Sequence, residues 1–167
     1  MRTAQKLYEG TEINGETTGL ITYMRTDSVV MGKEAINQVR DFVSKTYGQD
    51  YLPDTPRVYK SKAKNAQEAH ECIRPTNIYL TPKEIKQFIT GEEHKLYEII
   101  WQRAVSSQMA SAILDQVAVD IISEDKKNTL RTNGSTIKFP GMYKVYQEAK
   151  DDDKEEEKET ILPTMNE

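Results

Sequence analysis

The chain has 167 residues, 37 % of them apolar and 30 % charged, which suffices for one modest core, or one domain with part of another. Its single cysteine, Cys72, excludes an internal disulfide and fits a reducing compartment. No apolar run approaches the roughly eighteen residues of a membrane span and no charged-then-apolar leader opens the sequence, so a cytoplasmic protein without a membrane partner is expected. The net charge of −4 is unevenly spread. Residues 1–110 carry 15 Lys+Arg against 14 Asp+Glu, residues 111–148 five of each, and residues 149–167 three against eight. The acidity belongs to the tail. Between Arg57 and Arg74, five basic residues face only Glu68 and Glu71, a local excess compatible with a phosphate-facing surface.

In chain order, Arg2–Glu9 reads as the last turns of a helix. Gly10–Thr18 is expected to be a polar loop turning at Asn14-Gly15. It leads into a short extended stretch, 19–28. Ile36, Val39, Val43 and Tyr47 recur at helical spacing and predict a helix from about Lys33 to Tyr47, with Gly48 closing it. Asp50–Asn65 is expected to be loop. Thr81-Pro82-Lys83-Glu84 is a helix start, with Thr81 at the N-cap, Pro82 at N1 and Glu84 completing a capping box. Gly91 is expected to end that helix. A second follows from about Glu92 to Met109 and buries Leu96, Ile100, Trp101, Val105 and Met109. His94 is expected on its exposed side. Beyond Ala112 the apolar period changes to two, predicting a strand through Val117, Val119 and Ile121, a turn at Glu124–Asn128, and short strands at Thr129–Asn133, Ser135–Phe139 and Met142–Glu148. Lys150–Glu159 is a low-complexity charged run. The expected class is α+β, with a mainly helical part over 1–110, a β-rich segment over 111–148, and an acidic loop with the start of a further strand over 149–167.

The extended stretch is where chemistry is expected. Residues Gly19–Ser28 read GLITYMRTDS. Taken as a strand, they project Tyr23, Arg25 and Asp27 from one face. A phenol can attack a phosphodiester once its proton is removed and the developing phosphorane charge is stabilised. Free phenols titrate at about pH 10, so such a tyrosine needs a base or nearby positive charge. Arginine suits the second task, because its planar fork stays charged and grips two phosphate oxygens. On pattern alone Tyr23, one of nine tyrosines, is more often a packing residue, and Arg25 a surface one. Asp27 serves either as a helix N-cap or to orient Arg25.

GLITYMRTDS resembles the active-site segment of the type IA DNA topoisomerases of bacteria, G-x-I-T-Y-x-R-T-D-S. A second block, AQEAHECIRPT (Ala66–Thr76), is similar to that family's Q-E-A-H-x-A-I-R-P, with Cys72 where alanine is common. AQKLYE (Ala4–Glu9) and KLYEIIW (Lys95–Trp101) also look like the family, in the same order along the chain. The resemblance implies an internal fragment: a helical domain carrying the nucleophile Tyr23, joined to part of a β-rich arch. It implies relaxation of negatively supercoiled DNA without ATP through a 5′-phosphotyrosine intermediate on a single-stranded substrate. It also implies a bacterial, nucleoid-associated setting and partnership with the remaining domains of the same polypeptide.

By the same resemblance Arg25 and His70 join Tyr23 in catalysis. Arg74, Asp27 and Gln67 are DNA-binding candidates, although Arg74 equally pairs with Glu71 on sequence grounds. Mg²⁺ is implied for the full-length enzyme through the D-x-D-x-x-E carboxylates of a Toprim domain. This sequence carries no such motif after an apolar strand, so the fragment is expected to bind no metal and to be inactive alone. A non-catalytic single-stranded DNA-binding module is the alternative. A type IB enzyme or tyrosine recombinase fits less well, because there the arginines precede a late tyrosine.

Overall fold

The computed structural model describes residues 1–59 and 70–146. The chain divides into two compact units, the first covering Met1–Ala110 and the second starting at Ser111. The architecture is α+β.

The first unit opens with helix α1, Arg2–Glu9, which buries Leu7 and ends at Gly10 with φ +119°. The expected polar loop is instead a hairpin. Strands β1 (Thr11–Ile13) and β2 (Glu16–Thr18) pair antiparallel around Asn14-Gly15, both at positive φ. Left-handed values at both turn positions are what a two-residue hairpin needs, and Asn-Gly tolerates them. The flanking Thr and Glu residues lack the apolar alternation that advertises strands.

Helix α2 spans Lys33–Tyr47 and buries the expected Ile36, Val39 and Val43 together with Ala35 and Phe42, whereas Tyr47 is only partly covered. Gly48, at φ +104°, closes it. Its N-cap is Gly32, without a side-chain cap, so Asp27 does not cap this helix. A 3₁₀ turn, Gln49–Tyr51, begins the following loop.

Helix α3, Pro82–Ile85, carries the anticipated capping box between Thr81 and Glu84 but lasts only four residues. Gly91 does not end it. Thr90 and Glu93 form a second capping box, and Gly91 is the first residue of helix α4, Gly91–Ser107. A T-x-x-E pattern therefore starts both helices. Of the residues expected on the buried side of α4, Trp101, Val105 and Met109 are buried and Leu96 and Ile100 partly so; Glu93, Tyr97 and Ala104 are covered as well, and Ile99 is exposed.

Tyr97 is fully buried, and its hydroxyl donates to the Leu80 carbonyl at 2.7 Å. Burial pushes its phenol far up, so it remains a neutral donor. Trp101 donates its indole N–H to the Ile78 carbonyl at 2.9 Å and meets Phe42 edge-on at 5.5 Å. These two rings fasten the 78–80 loop onto α4 while satisfying carbonyls that would otherwise be buried without a partner. His94 is likewise largely covered rather than exposed: its Nε2 lies 2.9 Å from the Pro82 carbonyl and its side chain is 16 % accessible.

In the second unit, β3 (Ile113–Ile122) and β4 (Thr129–Phe139) form one long antiparallel hairpin. The two strands expected over 129–139 are one, running straight through Gly134 opposite Val117. Residues Gly141–Lys144 form a 3₁₀ turn, not the expected strand. Directly opposite on one face, Arg131 grips Asp120 with two parallel bonds of 2.7 and 2.8 Å. Val117, Ile121 and Leu130 share the other face and are exposed. The anticipated segment 149–167 lies outside the described residues.

Two substitutions test the anchoring of the first unit. Thr90→Ala removes a capping bond and is expected to cost about 1 kcal/mol. Gly19→Ala is expected to cost about 1–3 kcal/mol, because its Cβ would stand 2.7 Å from the Tyr8 carbonyl oxygen. Urea denaturation of each variant measures both.

Candidate active site around Tyr23

Residues 19–30 do not form a strand. A single β-bridge, Ile21 with Pro75, is all the ladder they make. Thr22 N–H donates to the Arg74 carbonyl (2.9 Å) and Thr76 N–H to the Leu20 carbonyl (3.0 Å), flanking that bridge. In this pairing Ile21 and Pro75 sit opposite each other without bonding one another, so the missing N–H of Pro75 costs the bridge nothing.

Thr22 makes the next bonds with its side chain. Its hydroxyl donates to the Cys72 carbonyl at 2.8 Å and accepts the Arg74 N–H at 3.0 Å. Thr76 Oγ1 donates to the Gly19 carbonyl at 2.6 Å, and Cys72 N–H reaches the Val30 carbonyl at 2.8 Å. The two sequence blocks are thus sewn together across some fifty positions, and Tyr23–Val29 bows out between two points of attachment. Helix α1 holds the segment from another direction. Leu20 N–H donates to the Leu7 carbonyl at 2.7 Å, and Gly19 lies against the Tyr8 carbonyl where no side chain would fit.

Tyr23 emerges just beyond this seam, 43 % exposed. Its ring meets His70 at 5.3 Å between centroids, tilted by 52°, and Tyr8 at 5.3 Å, tilted by 67°. Arg25 and Asp27 join in an ion pair, Nε to Oδ2 at 2.7 Å. Asp27 therefore orients Arg25. The other carboxylate oxygen, Oδ1, is buried without a partner among the described residues.

Arg74 is paired with Glu71: Nε and a terminal nitrogen both reach Oε2, at 2.7 and 2.6 Å, and NH1 donates to the Pro75 carbonyl at 2.9 Å. Its side chain is largely covered. Gln67, with Glu68, lies outside the described residues. Burial pushes the Cys72 thiol up, with Arg74 pulling the other way, so this half-buried cysteine is not an activated nucleophile.

The sequence offers Glu71 as a partner for Arg74, and the structure forms that pair. It did not single out Tyr8 as a site residue, although Tyr8 lies in the AQKLYE block and follows the core residue Leu7 on a short amphipathic helix. Glu71 bonds Arg74 and also crowds Gly32, the N-cap of α2, through its carboxylate.

Among the described residues no group of three or more His, Cys, Asp or Glu could hold a metal ion. No helix among them is long and apolar enough to cross a membrane.

The family model described as DNA topoisomerase matches residues 1–167. The chain belongs to that family. It is 53 % identical over 163 residues to DNA topoisomerase 1 of Rickettsia conorii, covering 98 % of this chain and 21 % of that protein. DNA topoisomerase 1 of Xylella fastidiosa is 45 % identical over 170 residues, covering 98 % and 21 %. The full-length topoisomerase I of Thermotoga maritima, in a monoclinic crystal form, superposes with a TM-score of 0.75 at 31 % identity over 90 % of this chain and 23 % of that one. The chain spans about a fifth of the length of these curated relatives, and corresponds to a segment of a bacterial type I topoisomerase.

Thr22→Val tests the seam. It strands the Arg74 N–H and removes a donor from the Cys72 carbonyl, and is expected to cost about 1–3 kcal/mol in urea denaturation. Because burial holds the Cys72 thiol protonated, its reaction with a disulfide reagent at pH 7.5 is expected to be several-fold slower than in the urea-unfolded chain.

Proposed function

We propose that this chain is the nucleophile-bearing part of a topoisomerase that relaxes negatively supercoiled DNA through transient single-strand cleavage, with Tyr23 as the attacking group. The observation that carries the reading is the site itself. An accessible phenol stands on a doubly anchored loop beside an imidazole, with an oriented arginine two residues on.

The Tyr23 oxygen attacks the phosphorus of a backbone phosphodiester. The new O–P bond forms as the P–O3′ bond breaks. The phenol gives up its proton and the departing 3′ oxygen gains one, leaving a 3′-hydroxyl and a 5′-phosphotyrosine. One ester replaces another, so the 3′-hydroxyl reverses the step without ATP.

Arg25 stabilises the charge on the non-bridging oxygens. Asp27 holds Nε, and the arginine side chain remains about half exposed, open to a phosphate. His70, within ring contact of Tyr23, either takes the phenol proton or, as imidazolium, faces the same phosphate. Single-stranded DNA is the local substrate, because a ring beside a folded surface reaches an unpaired backbone more easily than a duplex.

In this reading Mg²⁺ belongs to Toprim carboxylates elsewhere in the parent polypeptide, and those other domains are this chain's partners. Arg74, engaged with Glu71, supports the second block; to contact DNA it would first have to exchange that partner. The parent acts on chromosomal DNA in the bacterial cytoplasm.

In the full-length polypeptide, Tyr23→Phe is expected to abolish covalent protein–DNA adducts while single-stranded DNA binding stays within about twofold, since only the attacking oxygen is lost. Adducts that persist would assign the chemistry to another residue and leave this segment a binding module. Arg25→Ala is expected to slow adduct formation or resealing by about 10²-fold or more, measured by single-turnover cleavage of an oligonucleotide. The 167-residue chain by itself is expected not to relax plasmid DNA with Mg²⁺ present, and relaxation by it would overturn the fragment reading.

A further inference from the structure

We infer that Tyr8 is a positioning residue for the reaction at Tyr23, acting by confining the Tyr23 ring. The inference rests on Tyr23 being the nucleophile, as proposed above.

Two independent observations carry it. The first is the ring contact: Tyr8 and Tyr23 meet at 5.3 Å between centroids with their planes 67° apart. That is edge-to-face geometry, in which the positive edge of one ring meets the negative face of the other. The second is the rigidity of the platform beneath Tyr8. The residue before it, Leu7, is fully buried, and its carbonyl accepts the Leu20 N–H at 2.7 Å. The carbonyl of Tyr8 itself lies so close to Gly19 that a methyl group there would overlap it. On the preceding turn, Lys6 pairs with Glu93 of α4 at 3.4 Å. The backbone carrying Tyr8 is thus held against Gly19 and Leu20, on the segment that leads to Tyr23, and Lys6 ties the same helix to α4.

Tyr23 needs such a contact. It stands on irregular backbone beyond the last bond of the seam and is nearly half exposed. An exposed tyrosine ordinarily exchanges among staggered rotamers, and only one of them aims the hydroxyl at a given phosphorus. A wall at Tyr8, with His70 as a second contact, removes alternatives and leaves the phenol oxygen free to react. The Tyr8 hydroxyl has no part in this: the ring does the work.

The test is single-turnover cleavage of a single-stranded oligonucleotide by the full-length polypeptide carrying this segment. Binding is measured separately in a Tyr23→Phe background. Tyr8→Ala is expected to slow adduct formation at saturating DNA about tenfold, with Kd within about twofold, whereas Tyr8→Phe stays within about twofold in both. In the 167-residue chain, the Tyr23 ring proton resonances are expected to shift in Tyr8→Ala and hold in Tyr8→Phe. If Tyr8→Ala lowers the melting temperature enough to obscure the rates, Tyr8→Leu restores apolar bulk on α1 without the ring and is expected to show the same slow cleavage.

Cleavage at the parent rate in Tyr8→Ala or Tyr8→Leu overturns the inference. So does a loss confined to Kd, which would make Tyr8 a stacking surface for a base. Equal damage from Tyr8→Phe would assign the role to its hydroxyl and overturn it too. Adducts persisting in Tyr23→Phe would strike the function proposed for Tyr23 instead, so the two failures are distinguishable.

Discussion

The hydroxyl of Thr22 is the interaction on which the site depends. Backbone pairing between residues 20–22 and 74–76 consists of one bridge, Ile21 with Pro75, and the two bonds that flank it. Beyond that point two polar backbone groups, the Cys72 carbonyl and the Arg74 N–H, face the departing chain. Thr22 Oγ1 bonds both. One side chain thereby does what another rung of a ladder would do, without forcing the residues after it to stay extended. Tyr23 is released from the sheet at a defined place, and that release exposes it.

Charge is handled in a similar way on both blocks. Arg25 and Arg74 each carry a nearby carboxylate, Asp27 and Glu71 respectively, yet the two pairs differ in consequence. The first leaves a half-exposed side chain with its Nε against the carboxylate. The second buries most of its guanidinium and spends a further nitrogen on the Pro75 carbonyl. In the proposed reaction the more exposed Arg25 is the easier of the two for a phosphate to reach.

Helices with an apolar stripe and a terminator were legible in the sequence. Lys33–Tyr47 is the clearest, since Ile36, Val39 and Val43 show its face and Gly48 its end. The misreadings have specific physical origins. Gly91 carries a helix start because Thr90 and Glu93 cap it, and the side chains at the end of a helix outweigh the propensity of one glycine within it. The Thr11–Thr18 hairpin is held by backbone bonds and an Asn-Gly turn, with almost no apolar signal. Gly134 interrupts the composition of β4 but not its ladder. Within the site, the residues were visible as two blocks, yet nothing in their spacing showed that Tyr8 and His70 would meet the same ring. That convergence comes from contacts across roughly fifteen and fifty positions, which local pattern does not encode.

The double attachment of the Tyr23 loop has a mechanical side. In the proposed reaction the broken DNA end hangs from the Tyr23 oxygen while another strand moves, so any tension in that end enters the protein at this residue. The loop is moored at Thr22 and again at Val30, and both moorings lie on the same short stretch, Cys72–Arg74. A pull on Tyr23 is therefore divided between two sets of hydrogen bonds instead of unzipping one from its end, and each such bond contributes only about 0.5–1.5 kcal/mol. Load sharing of this kind lets modest bonds carry a covalently tethered polymer, and keeps the phenolic ester where the free 3′ end can find it again.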